Sequence, residues 1–358
     1  MGKRINWIDW AKAIAVCSVV FCHLPQSQEW FYFRYMQATT ITIFFFISGY
    51  LKKDHGSQQA NWRKYWQGLV LPYLLYNVIV YPYWLIRYYL QQGCLPDALT
   101  AMKPVIGALL LEHESSFTEP LNGPLWYLPA ILIMHLIIDS CRKTRYLHLI
   151  MIILCILSYF LYAANKQYEF MPNLTPMGLF RRLPYYYLGY VMGQWIRESR
   201  ENHGDRFMIL YRITRPVPLI LLMTGCLTIS LLFFEWHLNE QRILLHAALF
   251  YPVNIGLLFA VLCFCKLLDS CQLVFITNLS IGTLVIIGLH IILIGIVNYA
   301  VDHFIGIRDG LGYYWYEALP ITAIIIALLY PIILWGKNQA PVLIGKNKNF
   351  VHGTDSKK

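Results

Sequence analysis

The chain is short of charge. Asp, Glu, Lys and Arg make up 13% of its 358 residues and 58% is hydrophobic, whereas a soluble domain is about a quarter charged, so an ordinary soluble protein is excluded. Acidic side chains are the scarcer sign, 19 against 29 Lys and Arg. A surplus of that size would suit nucleic acid if it were clustered, but the basic residues stand singly or in pairs at the ends of apolar runs. That pattern marks topology and excludes nucleic acid as the partner. Cysteines in metal-type pairs are also missing. Cys17, Cys22, Cys94, Cys141, Cys155, Cys226, Cys263, Cys265 and Cys271 lie mostly inside apolar runs and read as small packing residues, with neither a metal site nor a disulfide framework. Lys3 and Arg4 precede the first apolar stretch as in a secretory leader. No small-residue cleavage site follows and Asp9 and Lys12 interrupt the run, which predicts an uncleaved first membrane helix.

What the sequence does have is runs long enough to cross a bilayer, roughly 17–25 residues each. They fall at residues 8–25, 35–51, 66–89, 125–141, 146–164, 179–196, 216–234, 242–265, 277–300 and 317–336. The expected fold is an all-α integral membrane bundle of about ten transmembrane helices, with no internal repeat. Lys and Arg collect in alternate connections, which places both termini on the cytoplasmic side. Residues 1–340 then form the polytopic domain and 341–358 a loose basic cytoplasmic tail. The polar segment KKDHGSQQANWRK, residues 52–64, is expected to rest on the inner surface. The longest outer connection, from Leu90 to Pro124, holds Glu112, His113, Glu114, Glu119 and Asn122, either as a solvated loop or facing a polar substrate.

Chemistry concentrates in the first run, DWAKAIAVCSVVFCH, residues 9–23. Lys12 and His23 are eleven residues apart, about three helical turns, so they share one face roughly 16 Å apart. A charge held in hydrocarbon costs about 2.5–3.5 kcal/mol on insertion scales, which makes such residues functional candidates. Asp9 and Lys12 are neighbours on that helix and read equally as an ion-paired anchor. Asp9 lies about 21 Å from His23, too far to orient it. His135, His246 and His290 are the other intramembrane histidines, each a structural residue or a proton acceptor. Ser48 and Gly49 in FFFISGYLKK permit close helix approach. Leu71-Pro72-Tyr73 marks a break in the third helix. Trp126 and Tyr127 of NGPLWYLPA belong to an aromatic belt. Arg181 and Arg182 open RRLPYYYLGYVMG and either snorkel or bind an anionic or sugar acceptor.

In order, DWAKAIAVCSVVFCH, FFFISGYL, the LVLPY of residues 69–73, GPLWYLPA and YYYLGYVMG resemble the membrane acyltransferase family 3, and within it the fucose 4-O-acetylase-like branch. The resemblance covers most of the chain. It implies O-acyl transfer, usually of acetyl from acetyl-CoA, to a carbohydrate hydroxyl, with His23 essential. The wider family has arginine at the position of Lys12. The fucose branch shows lysine there, a point charge for phosphate without the bidentate fork. Thr42 stands where the branch commonly has proline.

The combined expectation is a catalytic His23 acting as general base. Lys12, Asp9, Lys52, Lys53, Arg63 and Lys64 bind the coenzyme, and Ser48, Trp126, Arg34, Arg181, Arg182 and His290 bind the acceptor. No metal is called for. The partners are acyl-CoA, a carbohydrate or glycolipid acceptor and the lipid bilayer, a homodimer is compatible, and the location is the bacterial cytoplasmic (inner) membrane. The rival is a non-enzymatic transporter or flippase for a lipid-linked sugar or other polar solute.

Overall fold

The computed structural model describes residues 4–25, 31–54, 56–111, 121–168, 175–202, 215–237, 243–305 and 312–346. Each apolar run becomes a helix, because backbone groups in hydrocarbon can be satisfied only within their own segment. The helices are α1 (Asn6–His23), α2 (Phe31–Leu51), α3 (Gln58–Tyr65), α4 (Leu71–Gln92), α5 (Ala98–Leu109), α6 (Tyr127–Cys141), α7 (Leu147–Tyr168), α8 (Thr175–Asn202), α9 (Pro216–His237), α10 (Ile243–Leu267), α11 (Val274–Ile281), α12 (Thr283–Ile305) and α13 (Trp315–Asn338). The expected break ahead of Pro72 is a single π turn, Trp66–Val70, which lets α3 run on into α4. The ninth expected crossing is divided at Gly282 into α11 and α12. On α3, Ser57 accepts from the Ala60 N–H at 3.1 Å, and Trp62 and Trp66 are exposed, as suits an interfacial segment.

Seven helical segments among the described residues are long and apolar enough to cross a membrane, from Gln58–Gln92 to Trp315–Asn338. Their outer faces are bare hydrocarbon. Ile152, Ile153, Ile156 and Phe160 on α7, and Leu221 and Leu232 on α9, are exposed, and only 17% of the apolar window of each of these helices is buried. Faces of that extent need lipid. Neither α1 nor α8 is among the seven, and α2 contributes only the shorter apolar helix Thr39–Leu51. These three pack in sequence, α1 on α2 and α2 on α8. Having protein neighbours, they can carry Asp9, Lys12, Arg181 and Arg182.

The centre of the bundle is α1, which touches α2, α10, α11, α12 and α13. Ala11, Ala13, Ala15 and Val16 are at most 1% exposed, so small residues let five neighbours close in. The last described segment departs from expectation. Residues 341–346 are not loose: Pro341–Ile344 form a 3-10 turn, Leu343 and Ile344 are buried, and the buried Tyr76 hydroxyl donates to the Leu343 carbonyl at 2.7 Å. The apolar PVLI sequence explains this, since it hides its side chains against α4, α12 and α13.

Candidate functional site

His23 ends α1 and is exposed. Its Nδ1–H donates to the Val19 carbonyl one turn back at 2.7 Å. A carbonyl only accepts, so the proton sits on Nδ1 and Nε2 keeps its lone pair. The ring meets that of His290 edge-on, with centroids 4.9 Å apart and planes at 75°. His290 on α12 is fully buried. Its Nδ1–H is shared between the Ile286 and Ile287 carbonyls at 2.8 and 3.1 Å, and its Nε2 has no partner. Nearby on the same helix, the Asn122 amide donates to the Gly288 carbonyl at 2.9 Å and its buried Oδ1 is likewise unpartnered. The group that orients His23 is therefore its own helix together with a second imidazole. Sequence spacing could not couple residues 23 and 290, and Asn122 carried no signal beyond being polar.

Toward the other end of α1, the Lys12 ammonium donates to the Ser280 carbonyl at 3.0 Å, at the α11–α12 break. Asp9 is ion-paired with Arg4 instead, whose Nη2 donates to its Oδ1 at 2.8 Å, and it accepts from the Ser280 hydroxyl at 2.6 Å. Lys337 donates to Asn278 Oδ1 at 3.0 Å. Lys346 joins this cluster. Burial, with Arg4 and Lys337 alongside, pulls its pKa down to about 8. Arg4, Lys337 and Lys346 were not among the residues expected to bind the coenzyme, because only the fold brings residues 4, 337 and 346 together.

Lys52 and Lys53 follow the last residue of α2. Lys52 is 6% exposed and donates to Asp139 Oδ1 at 2.7 Å and to the Tyr65 hydroxyl, which itself donates to Asp139 Oδ2 at 2.5 Å. Burial lowers the Lys52 pKa, while the hydrogen bond to Asp139 opposes the shift. Arg142 pairs with Asp54. That bond holds the Asp54 carboxyl well below the usual carboxylate range and raises Arg142. Lys52, Lys53, Asp54, Asp139, Arg142 and Lys143 line a cavity of about 300 Å³. The cavity lies at the Trp7 end of α1, where Trp7 packs edge-on against Tyr50 at 5.4 Å, and not beside His23. Arg63 and Lys64 are exposed on α3 and do not line it.

The residues expected to meet the acceptor separate into groups. Ser48 shares a hydrogen bond with the Tyr127 hydroxyl at 2.9 Å, and the Arg182 guanidinium lies over Trp126 at 5.5 Å. Arg181 sits instead between Tyr162 and Phe250, 4.6 and 4.8 Å from the ring centroids. His135 is taken up by Tyr186 at 2.6 Å and stacks on Tyr65. The side chains of Arg34 and His246, and Glu112, His113, Glu114 and Glu119, lie outside the described residues. Among the described residues no group of three metal-ligating side chains converges.

Residues 5–336 match the family described as the acyltransferase domain, acyltransferase family 3. The chain belongs to that family. The match runs from the residue before α1 into the last turn of α13, so the whole bundle is the acyltransferase domain of a multi-pass membrane protein. No curated protein and no solved structure matches the chain. Acyl transfer requires an activated acyl donor and a nucleophilic acceptor, and an imidazole with a free ring nitrogen serves that reaction as general base.

Proposed function

We propose that this family member is an O-acetyltransferase of the fucose 4-O-acetylase-like kind, moving acetyl from cytoplasmic acetyl-CoA to a hydroxyl of a carbohydrate or glycolipid on the outer side. The supporting observation is the His23 imidazole, proton fixed on Nδ1 by Val19, ring steadied by His290 and Nε2 open. In the proposed step Nε2 takes the proton of the acceptor hydroxyl as its oxygen attacks the thioester carbonyl. The C–S bond then breaks, and the imidazolium returns the proton to the departing thiolate, so His23 ends neutral. The buried acceptors His290 Nε2 and Asn122 Oδ1 each forgo about 1–3 kcal/mol unless a donor arrives, and hydroxyls of a sugar are such donors.

The donor's negative charge is met by Lys12, roughly 16 Å along α1 from His23, and by the other cations toward that end of the helix. On this reading ten helices cross the bacterial inner membrane with both termini inside, adding α1, α2 and α8 to the seven most apolar. The test is His23→Ala in purified full-length protein with radiolabelled acetyl-CoA and a carbohydrate acceptor. Transfer should fall by about 10²- to 10⁴-fold, the worth of a general base. A stably folded variant with wild-type transfer would overturn the assignment.

A further inference from the structure

The cavity between the ends of α2 and α6 has contents that ordinary membrane topology does not explain. Cations at inner helix ends normally snorkel toward headgroups. Lys52 does the opposite: it is drawn inward and is 6% exposed, held by Asp139 at 2.7 Å. Arg142 is held by Asp54. Its Nε has no hydrogen bond and stands 3.8 Å from Asp139 Oδ1. Arg197 donates to the Tyr50 and Lys52 carbonyls at 3.0 and 3.1 Å, which neutralises the negative end of α2 beside the cavity. Two carboxylates thus fix two cations in place, while Lys53 and Lys143 line the same cavity with no carboxylate partner among the described residues. The lining carries four cations against two anions, which leaves a surplus of positive charge that no carboxylate among the described residues meets.

We propose that this cavity binds the phosphate groups of the acyl donor's nucleotide end. A volume of about 300 Å³ is at the small end of ligand pockets, enough for a phosphate or diphosphate and not for a whole coenzyme. Arg142 supplies a fork and Lys53 and Lys143 supply point charges, the usual means of holding phosphate oxygens. Trp7 and His23 lie about 24 Å apart along α1, so a ligand anchored here reaches the imidazole only through a long arm. The identity of the ligand rests on the acyl-transfer reading, whereas the anion pocket itself does not.

Full-length protein in neutral phosphatidylcholine nanodiscs is titrated with adenosine 3′,5′-bisphosphate, which has nucleotide phosphates and no acyl arm. Wild type should bind it, more weakly at high salt. Lys53→Gln/Lys143→Gln should bind about ten- to a hundredfold more weakly, the worth of one or two charge-assisted hydrogen bonds, with an unchanged thermal midpoint because neither lysine has an ion-pair partner among the described residues. Lys103→Gln on α5 should bind as wild type does. Equal binding by wild type and the double variant overturns the pocket. If wild type ignores the nucleotide and is stabilised through the same two lysines only in phosphatidylglycerol nanodiscs, the nucleotide assignment is overturned in favour of a lipid headgroup. His23→Ala should keep nucleotide binding. A wild type that binds nucleotide yet transfers no acetyl keeps the pocket and sinks the acetyltransferase reading alone.

Discussion

Replacing Gly189 by alanine tests the packing that assembles the Ser48–Trp126–Arg182 group. α2 and α8 approach so closely that a Cβ on Gly189 would lie 2.0 Å from the Phe46 carbonyl oxygen, one on Gly49 2.0 Å from that of Tyr186, and one on Gly193 2.3 Å from that of Tyr50. Each obstacle is backbone, so no side-chain rearrangement relieves it. A carbon–oxygen contact settles near 3.3 Å, so the helices must part by about 1 Å. That stretches the 2.9 Å Ser48–Tyr127 bond and disturbs the stacking of Arg182 on Trp126. Overpacking of this kind costs about 1–3 kcal/mol, and the better helix propensity of alanine returns about 0.5–1 kcal/mol, for a net loss of about 1–2 kcal/mol. Gly225 is the internal control. A Cβ there meets nothing within 4 Å, so Gly225→Ala should be neutral or stabilising by up to about 1 kcal/mol. Unfolding midpoints of the two variants in one detergent make the comparison. Gly189→Ala as stable as Gly225→Ala would refute the close approach. Gly189→Ala/Gly193→Ala should lose less than the sum of its parts, because one displacement relieves both clashes.

His290→Ala should lower acetyl transfer by about three- to tenfold, the worth of one ring contact, in single-turnover assays where His23→Ala loses far more; equal losses would give His290 a role beyond steadying the ring. Asp139→Ala leaves Lys52 buried and unpaired and should destabilise by about 3–5 kcal/mol, with Lys52→Met/Asp139→Leu recovering most of it in the same unfolding assay. Asp54 has its pKa depressed in the fold by Arg142, so its contribution is complete above the ordinary value of 3.8 and is lost as pH falls through the lower folded-state value. The gap in thermal midpoint between wild type and Asp54→Asn should therefore hold constant from pH 8 to 5, and closure near neutral pH would contradict the pairing. Lys12→Met should weaken acetyl-CoA use through KM while Lys12→Arg retains it, measured by donor titration at saturating acceptor.

Much was legible in the chain itself. A bilayer forces each apolar run to be a helix of about the same length, so hydropathy alone sets where helices lie, and the α1 stripe of Lys12 and His23 follows from helical period. The motif order also pointed to the family that residues 5–336 match. What the sequence could not decide was which side chains meet. The edge-on contact of His23 with His290, the Asp9–Arg4 pair in place of Asp9–Lys12, and the cavity that joins Lys53 to Lys143 all depend on how the helices are rotated and which neighbours they have. Lipid-facing surfaces leave that rotation free. It is set by small residues and short hydrogen bonds scattered along the chain, whose effect appears only once the bundle is closed.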